Sequence, residues 1–155
     1  MFQPEQVNIR LTATGHCLNP EKCRKLQNCT TLHGSLILRQ TIHEGTLMVP
    51  DFSKLEEITG FLTITFFVEV ITHLPSLTVI RGNTLVANYA FIVYYNSLTK
   101  FISFPKLTTI LKGGVRVNRN RLLCYVNTVK WTSIVKVQYL VIIVWCKCSM
   151  GFIFV

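Results

Sequence analysis

A motif that ends in glycine recurs along the chain and constrains its fold more than any other feature. The motif is an apolar residue or Cys, two residues, an apolar residue, one residue and Gly. It ends at Gly34, Gly60 and Gly82, and at Gly113 with one extra residue, so the spacings are 26, 22 and 31 residues. Spacings of about 20 to 30 residues are typical of solenoids, whose repeats must stack because none buries its own apolar face.

Short alternating segments follow three of these glycines and predict strands with one buried face. They are Leu36-Ile37-Leu38, Leu62-Thr63-Ile64 and Val115-Arg116-Val117, and a looser equivalent spans Leu85 to Tyr95. We predict parallel strands with glycine at the corners, stacked in about four to five coils. The residues predicted to face the core are Leu36, Leu38, Leu62, Ile64, Leu85, Val115 and Val117. Leu36, Leu62 and Val115 should lie in one column.

The alternation also assigns a continuous outer surface, because successive side chains of a strand point to opposite faces. This surface contains Ile37, Arg39, Thr63, Thr65, Arg116 and Asn118. Solenoids use such flat surfaces to bind partners. A plain solvated sheet is the alternative, since Thr and Arg suit solvent equally well.

The uneven charge of the chain indicates either an anionic partner or, as we favour, basic residues that keep an apolar chain soluble. Residues 70–155 contain ten Lys and Arg but no Asp or Glu, within a chain of net charge +9. β-Helical enzymes that cleave polysaccharides need clustered catalytic groups on one face. The outer positions contain no carboxylate, and the four histidines share no motif spacing. We therefore predict no catalytic residue and no cofactor.

Cysteines cluster at the two ends of the repeat region and predict an oxidising environment. They are Cys17, Cys23, Cys29, Cys124, Cys146 and Cys148. Asn28-Cys29-Thr30 matches an N-glycosylation acceptor, which predicts a glycan on Asn28. Zinc is the alternative, but the chain has no Cys-x-x-Cys pair and no His pair at ligand spacing, so no metal site is predicted.

The repeat segments resemble the L domains of the insulin and epidermal growth factor receptor family. The segments that carry the resemblance begin at Asn28, Leu55 and Leu77, and include Asn88-Tyr89-Ala90 and Leu123-Cys124-Tyr125 followed by Trp131. The resemblance is strongest to insulin-like receptors. It implies a single-stranded right-handed β-helix, similar to leucine-rich repeats, with a small helical, disulfide-bonded N-terminal cap.

The resemblance also implies a function, site residues and disulfides. The domain would be extracellular or secreted and would bind an insulin-like or growth-factor-like peptide, with other receptor segments and a receptor dimer as further partners. The ligand-binding residues implied by motif are Ile37, Arg39, Thr63, Thr65, Val86, Asn88, Tyr94, Arg116 and Asn118. Tyr89 and Tyr125 match structural positions. Cys29 would bond to Cys17, with Cys23 as the alternative, and Cys124 would bond downstream, where Cys146 and Cys148 are available.

Some features depart from the family pattern. Two positions of the outer face are Thr where the family has large apolar residues. We predict an N-terminal extension over residues 1–16, the L domain over 17–131 and an apolar tail outside the pattern over 132–155, either a misread segment or a poor membrane anchor. Residues 1–16 lack the features of a signal peptide, which predicts a fragment of a longer receptor tyrosine kinase. A solitary L-domain binding protein without a kinase is the alternative.

Overall fold

The computed structural model describes residues 29–39, 52–66, 71–137 and 141–143. Within them the chain is all-β, with a solenoid-like arrangement of about three turns and little helix. The four to five coils expected from the repeat exceed the number that the described residues form. The expected helical cap lies outside the described residues.

Three parallel sheets form the sides of the solenoid. The first sheet contains β1 (Thr31–Leu32), β3 (Glu57–Ile58), β6 (Val79–Ile80) and β9 (Thr109–Ile110). The second contains β2 (Leu36–Arg39), β4 (Leu62–Thr65), β7 (Tyr89–Tyr94), β10 (Gly114–Asn118) and β11 (Val141–Ile143). The third pairs β5 (Ile71–His73) with β8 (Phe101–Ser103). A 3₁₀ helix, Val126–Thr128, and a short helix α1, Trp131–Ile134, follow β10.

The predicted inward column of the second sheet is confirmed. Leu36 pairs with Leu62, Leu62 pairs with Phe91, and Phe91 pairs with Val115, all in parallel. The ring of Phe91 stacks on Trp131 at 5.6 Å between centroids, so the column packs against α1. Burial of each such side chain contributes about 1.5–3 kcal/mol, which makes the stack the main source of stability.

The prediction that Leu85 faces the core is wrong, because Leu85 is 39% exposed. A two-residue turn at Ala87 and Asn88, with φ of 47° and 71°, lies between it and the strand. Tyr89 exchanges two backbone hydrogen bonds with Val86, at 3.0 and 2.9 Å, as in a tight hairpin. The strand therefore begins only at Tyr89, and Phe91 occupies the inward position.

Left-handed residues turn the chain where three strands of the second sheet end. Phe66, Tyr95 and Arg119 directly follow β4, β7 and β10 and have φ of 51°, 58° and 55°. The residue after each of the last two turns is an asparagine, Asn96 or Asn120, and both are fully buried. Asn96 donates Nδ2 to the carbonyl of Ile64 at 3.0 Å. The two asparagines therefore form a ladder of hydrogen bonds that ties three coils together.

The segment expected to lie outside the repeat contributes to two sheets. Val135 bridges in parallel to Ile110 of the first sheet. β11 pairs in parallel with β10 along its whole length and adds the fifth strand of the second sheet. Residues 135 and 141–143 therefore continue the solenoid beyond the predicted boundary at 131. No helix of the described residues is both long and apolar enough to span a bilayer.

The two described cysteines differ in their bonding. Cys29 is a free thiol that donates to the carbonyl of Thr31 at 3.0 Å, and its expected partners lie outside the described residues. Cys124 is disulfide-bonded. Because Cys29 is free, the partner of Cys124 lies outside the described residues. These undescribed positions include Cys17, Cys23, Asn28, Cys146 and Cys148.

Candidate functional site

The outer surface of the second sheet, here called the sheet face, presents two columns of side chains. The first column alternates between apolar and polar residues from strand to strand: Ile37, Thr63, Ile92, Arg116 and Ile142. The second contains Thr65, Tyr94 and Asn118, and the backbone of Arg39 lies in register with them. A surface that mixes apolar anchors with polar groups in this way is typical of protein-binding sites.

Arg116 holds the most distinctive environment of the sheet face. Its guanidinium carbon lies 5.8 Å from the ring centroid of Tyr89 and 5.6 Å from that of Tyr94. Such cation–π contacts stabilise by about 0.5–1 kcal/mol each when exposed and more when desolvated. The Nε atom is buried and has no hydrogen-bond partner among the described residues. The two rings therefore fix a cation that retains unused hydrogen-bonding capacity.

Thr63 carries a second unsatisfied polar atom in the same column. Its Oγ1 is buried and also lacks a hydrogen-bond partner within the described part of the chain. Thr63 and Arg116 lie two strands apart, roughly 10 Å, with Ile92 between them. Buried polar groups are nearly always hydrogen-bonded, and an exception calls for an explanation. Neither atom is accessible from the surface, so a bound partner reaches it only when the side chains that cover it move.

Six of the nine predicted binding residues lie on the sheet face. They are Ile37, Thr63, Thr65, Tyr94, Arg116 and Asn118. The side chain of Arg39 lies outside the described residues. Val86 and Asn88 are exposed in the turn before β7 and do not belong to a strand. The alternation of the other strands could not predict the positions of Val86 and Asn88, because the turn at Ala87 and Asn88 changes which residues of this segment face outward.

Sequence reasoning missed Ile92 and Ile142, which complete the first column. β7 is apolar on both faces, so its sequence Tyr89–Tyr94 gives no alternation that would separate Ile92 from its neighbours. Ile142 lies in the segment that was expected to be outside the repeat. Ile142 is exposed and Ile92 is buried, so Ile142 is the one of the two that offers apolar contact to a partner.

Aromatic rings continue the sheet face around its corner. Tyr95 contacts Tyr94 and Phe66, each at 5.4 Å between ring centroids. The guanidinium of Arg119 lies 5.9 Å from the ring of Tyr94 and 5.8 Å from that of Tyr95. The corner therefore adds a second cation to the one at Arg116. Phe66, Tyr95 and Arg119 each directly follow a strand, and this position is the sequence signal that would have identified the corner.

Two structural predictions for tyrosines have opposite outcomes. Tyr89 is buried beneath Arg116, in agreement with a structural role. Tyr125 is 62% exposed and stacks on Phe101 away from the sheet face, which is contrary to the structural role expected of it. The cause is a left-handed backbone conformation at Tyr125, with φ of 61°, which turns the side chain out of the core.

The chemistry of the sheet face suits binding. None of its described side chains is a carboxylate, a histidine or a cysteine, the groups that most often act as general acids, bases or nucleophiles. Among the described residues, no group of three or more His, Cys, Asp and Glu side chains is arranged to hold a metal ion. Away from the sheet face, Arg81 donates a hydrogen bond to Glu57 of the first sheet, and this contact raises the pKa of the Arg81 guanidinium.

Comparison with known proteins agrees with this architecture. The profile of the receptor L domain family matches residues 28–135, more than half of the chain. The chain belongs to the receptor L domain family. This L domain is 46% identical over 136 residues to an insulin-like peptide receptor of Hydra vulgaris, a match that covers 86% of the chain. It is 36% identical over 113 residues to the insulin-like receptor of Drosophila melanogaster, which covers 71% of the chain.

The insulin receptor of Xenopus laevis is a further relative, 35% identical over 114 residues and 70% of the chain. The L domain spans only 9%, 5% and 8% of the lengths of these three receptors. It is thus homologous to a short segment of insulin-like receptors, and the family is one of receptor modules rather than enzymes. The profile extends to residue 135, beyond the boundary at 131 that the sequence predicted.

Proposed function

We propose that this L domain is the extracellular ligand-recognition domain of an insulin-like receptor, and that the sheet face binds a peptide hormone. The observation that carries the proposal is the mixed character of that face: Tyr94 and Arg116 lie in cation–π contact near its centre, and Ile37 and Ile142 lie on its two edge strands. The guanidinium offers positive charge and hydrogen-bond donors, and the tyrosine ring and the two isoleucines offer apolar contact.

The relatives support the class of ligand. Two of them are described by name as receptors for insulin-like peptides or as insulin-like receptors. The strip of alternating polar and apolar residues matches the anatomy of protein interfaces, where a few aromatic and Arg residues carry most of the binding energy. Tyr94 meets this description because Arg116 and Arg119 both contact its ring.

The proposal also places the domain outside the cell or on the outer side of the plasma membrane, as part of a larger receptor chain. Other segments of the receptor ectodomain and a second receptor chain would be its remaining partners. Asn28 would carry a glycan in that setting. The kinase activity of a complete relative would reside elsewhere in the receptor.

Surface substitutions measured against an insulin-like peptide test the proposal. Tyr94→Ala should weaken binding by roughly thirtyfold or more, since interface hot spots contribute at least about 2 kcal/mol. Leu111→Ala is the matched control, because Leu111 is exposed on the first-sheet side of the domain. Isothermal titration calorimetry with the secreted chain would give the dissociation constants.

Two results would reject the proposal. One is an unmodified domain that does not bind the peptide at all, which would remove the insulin-like ligand. The other is affinity that survives Tyr94→Ala but is lost on Leu111→Ala, which would place the binding surface on another side of the solenoid.

A further inference from the structure

A second exposed apolar surface lies away from the sheet face. It consists of Phe101, Tyr125 and Val129, here called the Tyr125 patch, and all three side chains are exposed. Phe101 belongs to β8, which pairs with β5 in the third sheet. The patch therefore does not share a sheet with the proposed hormone-binding surface. Clustered exposure of large apolar side chains marks interaction sites more often than chance.

The rings of the Tyr125 patch form a flat platform. Phe101 and Tyr125 stack with centroids 5.9 Å apart and an angle of only 9° between the ring planes. The backbone holds Tyr125 in the left-handed region, which L residues seldom adopt, and its carbonyl accepts hydrogen bonds from both N and Oγ1 of Thr128, at 3.1 and 2.7 Å. Conformations of this kind persist where the surrounding structure imposes them, and they concentrate at ligand-binding positions.

A small apolar cleft adjoins the Tyr125 patch and shares Tyr125 and Val129 with it. Its volume is about 70 Å³. It is lined by Ile102, Phe104, Leu107, Tyr125, Val126, Val129, Trp131 and Ile134. Pockets for drug-sized ligands and cofactors measure roughly 300–1,000 Å³. The cleft is therefore too small for such a molecule, and its size and lining suit the end of one aliphatic side chain.

The charged residues that the structure describes next to the patch in sequence are basic. Lys100 directly precedes Phe101, and its carbonyl accepts the backbone N–H of Cys124 at 2.9 Å, which brings it beside Tyr125. Arg121 and Lys130 are exposed within five residues of Tyr125. A partner that contacts this patch therefore meets these three cations, which favours carboxylates at the rim of the contact.

We propose that the Tyr125 patch is a docking surface for an acidic segment of another protein, which inserts one aliphatic side chain into the cleft and pairs its carboxylates with Lys100, Arg121 and Lys130. The platform of Phe101 and Tyr125 supplies the apolar contact. The three cations select the charge of the partner and accelerate its association.

The test uses the secreted full chain and a short fluorescein-labelled peptide of alternating Glu and Leu, followed by fluorescence anisotropy. The proposal expects saturable binding that weakens as salt is raised. Tyr125→Ser should weaken it at least about tenfold, the range of truncated interface anchors. Arg121→Glu should weaken it several-fold. Leu111→Ser and Tyr94→Ala, which lie on other sides, should leave it unchanged.

Three controls make each outcome decisive. A peptide of alternating Lys and Leu should bind far more weakly, and equal binding would overturn the proposal. Binding of phosphatidylserine vesicles without binding of the acidic peptide would overturn it in favour of a lipid surface. Self-association lost in Tyr125→Ser would overturn it in favour of a second copy of the chain. If circular dichroism shows that Tyr125→Ser is unfolded, Phe101→Ser and Arg121→Glu give the same decision.

Discussion

Asn96 donates its side-chain amide to the carboxamide oxygen of Asn120 at 2.8 Å, and both side chains are completely removed from solvent. The same oxygen of Asn120 accepts the backbone N–H of Asn96 at 3.1 Å. Asn120 in turn donates Nδ2 to the carbonyl of Val93 at 2.9 Å. The two asparagine side chains thus supply hydrogen bonds to backbone carbonyl groups at the point where the stacked coils turn.

Replacing Asn120 by Ala should destabilise the domain strongly, because it removes the acceptor of two hydrogen bonds from Asn96 and the donor to the carbonyl of Val93. Each unsatisfied buried group costs about 1–3 kcal/mol, so we expect a loss of roughly 2–5 kcal/mol in the free energy of unfolding. Urea denaturation followed by circular dichroism measures it. Asn118→Ala, on the outer face two residues earlier, is the control and should cost less than about 1 kcal/mol.

Gly82→Ala should also destabilise the fold. Gly82 has φ of +69°, and an added Cβ would lie 2.2 Å from the carbonyl oxygen of Lys112 in the next coil. Because that atom belongs to the backbone, the coils must separate, and we expect a loss of more than about 2 kcal/mol. Asn83→Ala changes the adjacent exposed residue and should cost less than about 0.5 kcal/mol. Equal midpoints for the two variants in a thermal melt would contradict the prediction.

The disulfide of Cys124 should join the end of the solenoid to the segment after β11. We expect peptide mapping of the secreted chain to find Cys124 bonded to Cys146 or Cys148. Closing a loop of this length stabilises by roughly 3 kcal/mol in the chain-entropy model, so Cys124→Ser should lower stability by that order. Cys29→Ser removes a free thiol and should cost less than about 1 kcal/mol. A bond from Cys124 to Cys17 or Cys23 would refute the pairing.

Arg116→Gln should act on the rate of hormone association more than on the stability of the domain. The substitution removes one positive charge from the proposed binding surface, and charged groups mainly steer encounter. We expect a several-fold lower association rate and a weaker dependence of that rate on salt, measured by surface plasmon resonance. Lys112→Gln removes the same charge from an exposed position off the sheet face and should alter neither.

Thr63→Val tests the role of a buried hydroxyl at the sheet face. Valine keeps the shape of threonine but removes an Oγ1 that has no hydrogen-bond partner among the described residues. Folding should therefore be unchanged or more favourable by up to about 1 kcal/mol. Hormone affinity should change little, because the hydroxyl is covered by neighbouring side chains and valine keeps the shape of the surface. A variant with lower stability and unchanged affinity would show that Thr63 has a structural role.

The sequence predicted the two faces of the second sheet wherever its strands alternate. Leu36, Leu62 and Val115 lie in one column as expected, because each follows a glycine corner and is flanked by outward residues. The prediction failed at Leu85 because a tight turn at Ala87-Asn88 displaces the strand start. The later strand start cannot be recognised from the sequence of Phe91 to Val93, because both faces of this segment are buried and all its residues are apolar.

The polar features of the interior and corner could not be predicted from spacing alone. Asn96 and Asn120 are ordinary turn residues in sequence, and their ladder becomes visible only when the register of β7 and β10 is known. The same register brings Tyr95 and Arg119 together at the corner. The exposed Tyr125 has a left-handed backbone conformation, which an aromatic residue in the sequence does not predict.

The strand Val141–Ile143 pairs along its whole length with β10, so the folded unit continues past residue 135, where the family match ends. A chain cut at residue 135 would leave the backbone N–H and C=O groups of β10 open on one side. An unpaired edge of this kind is a template for pairing with another molecule. A domain that ends at residue 135 would therefore present the five-residue edge of β10 in place of the three-residue edge of β11, which favours edge-to-edge association with other copies.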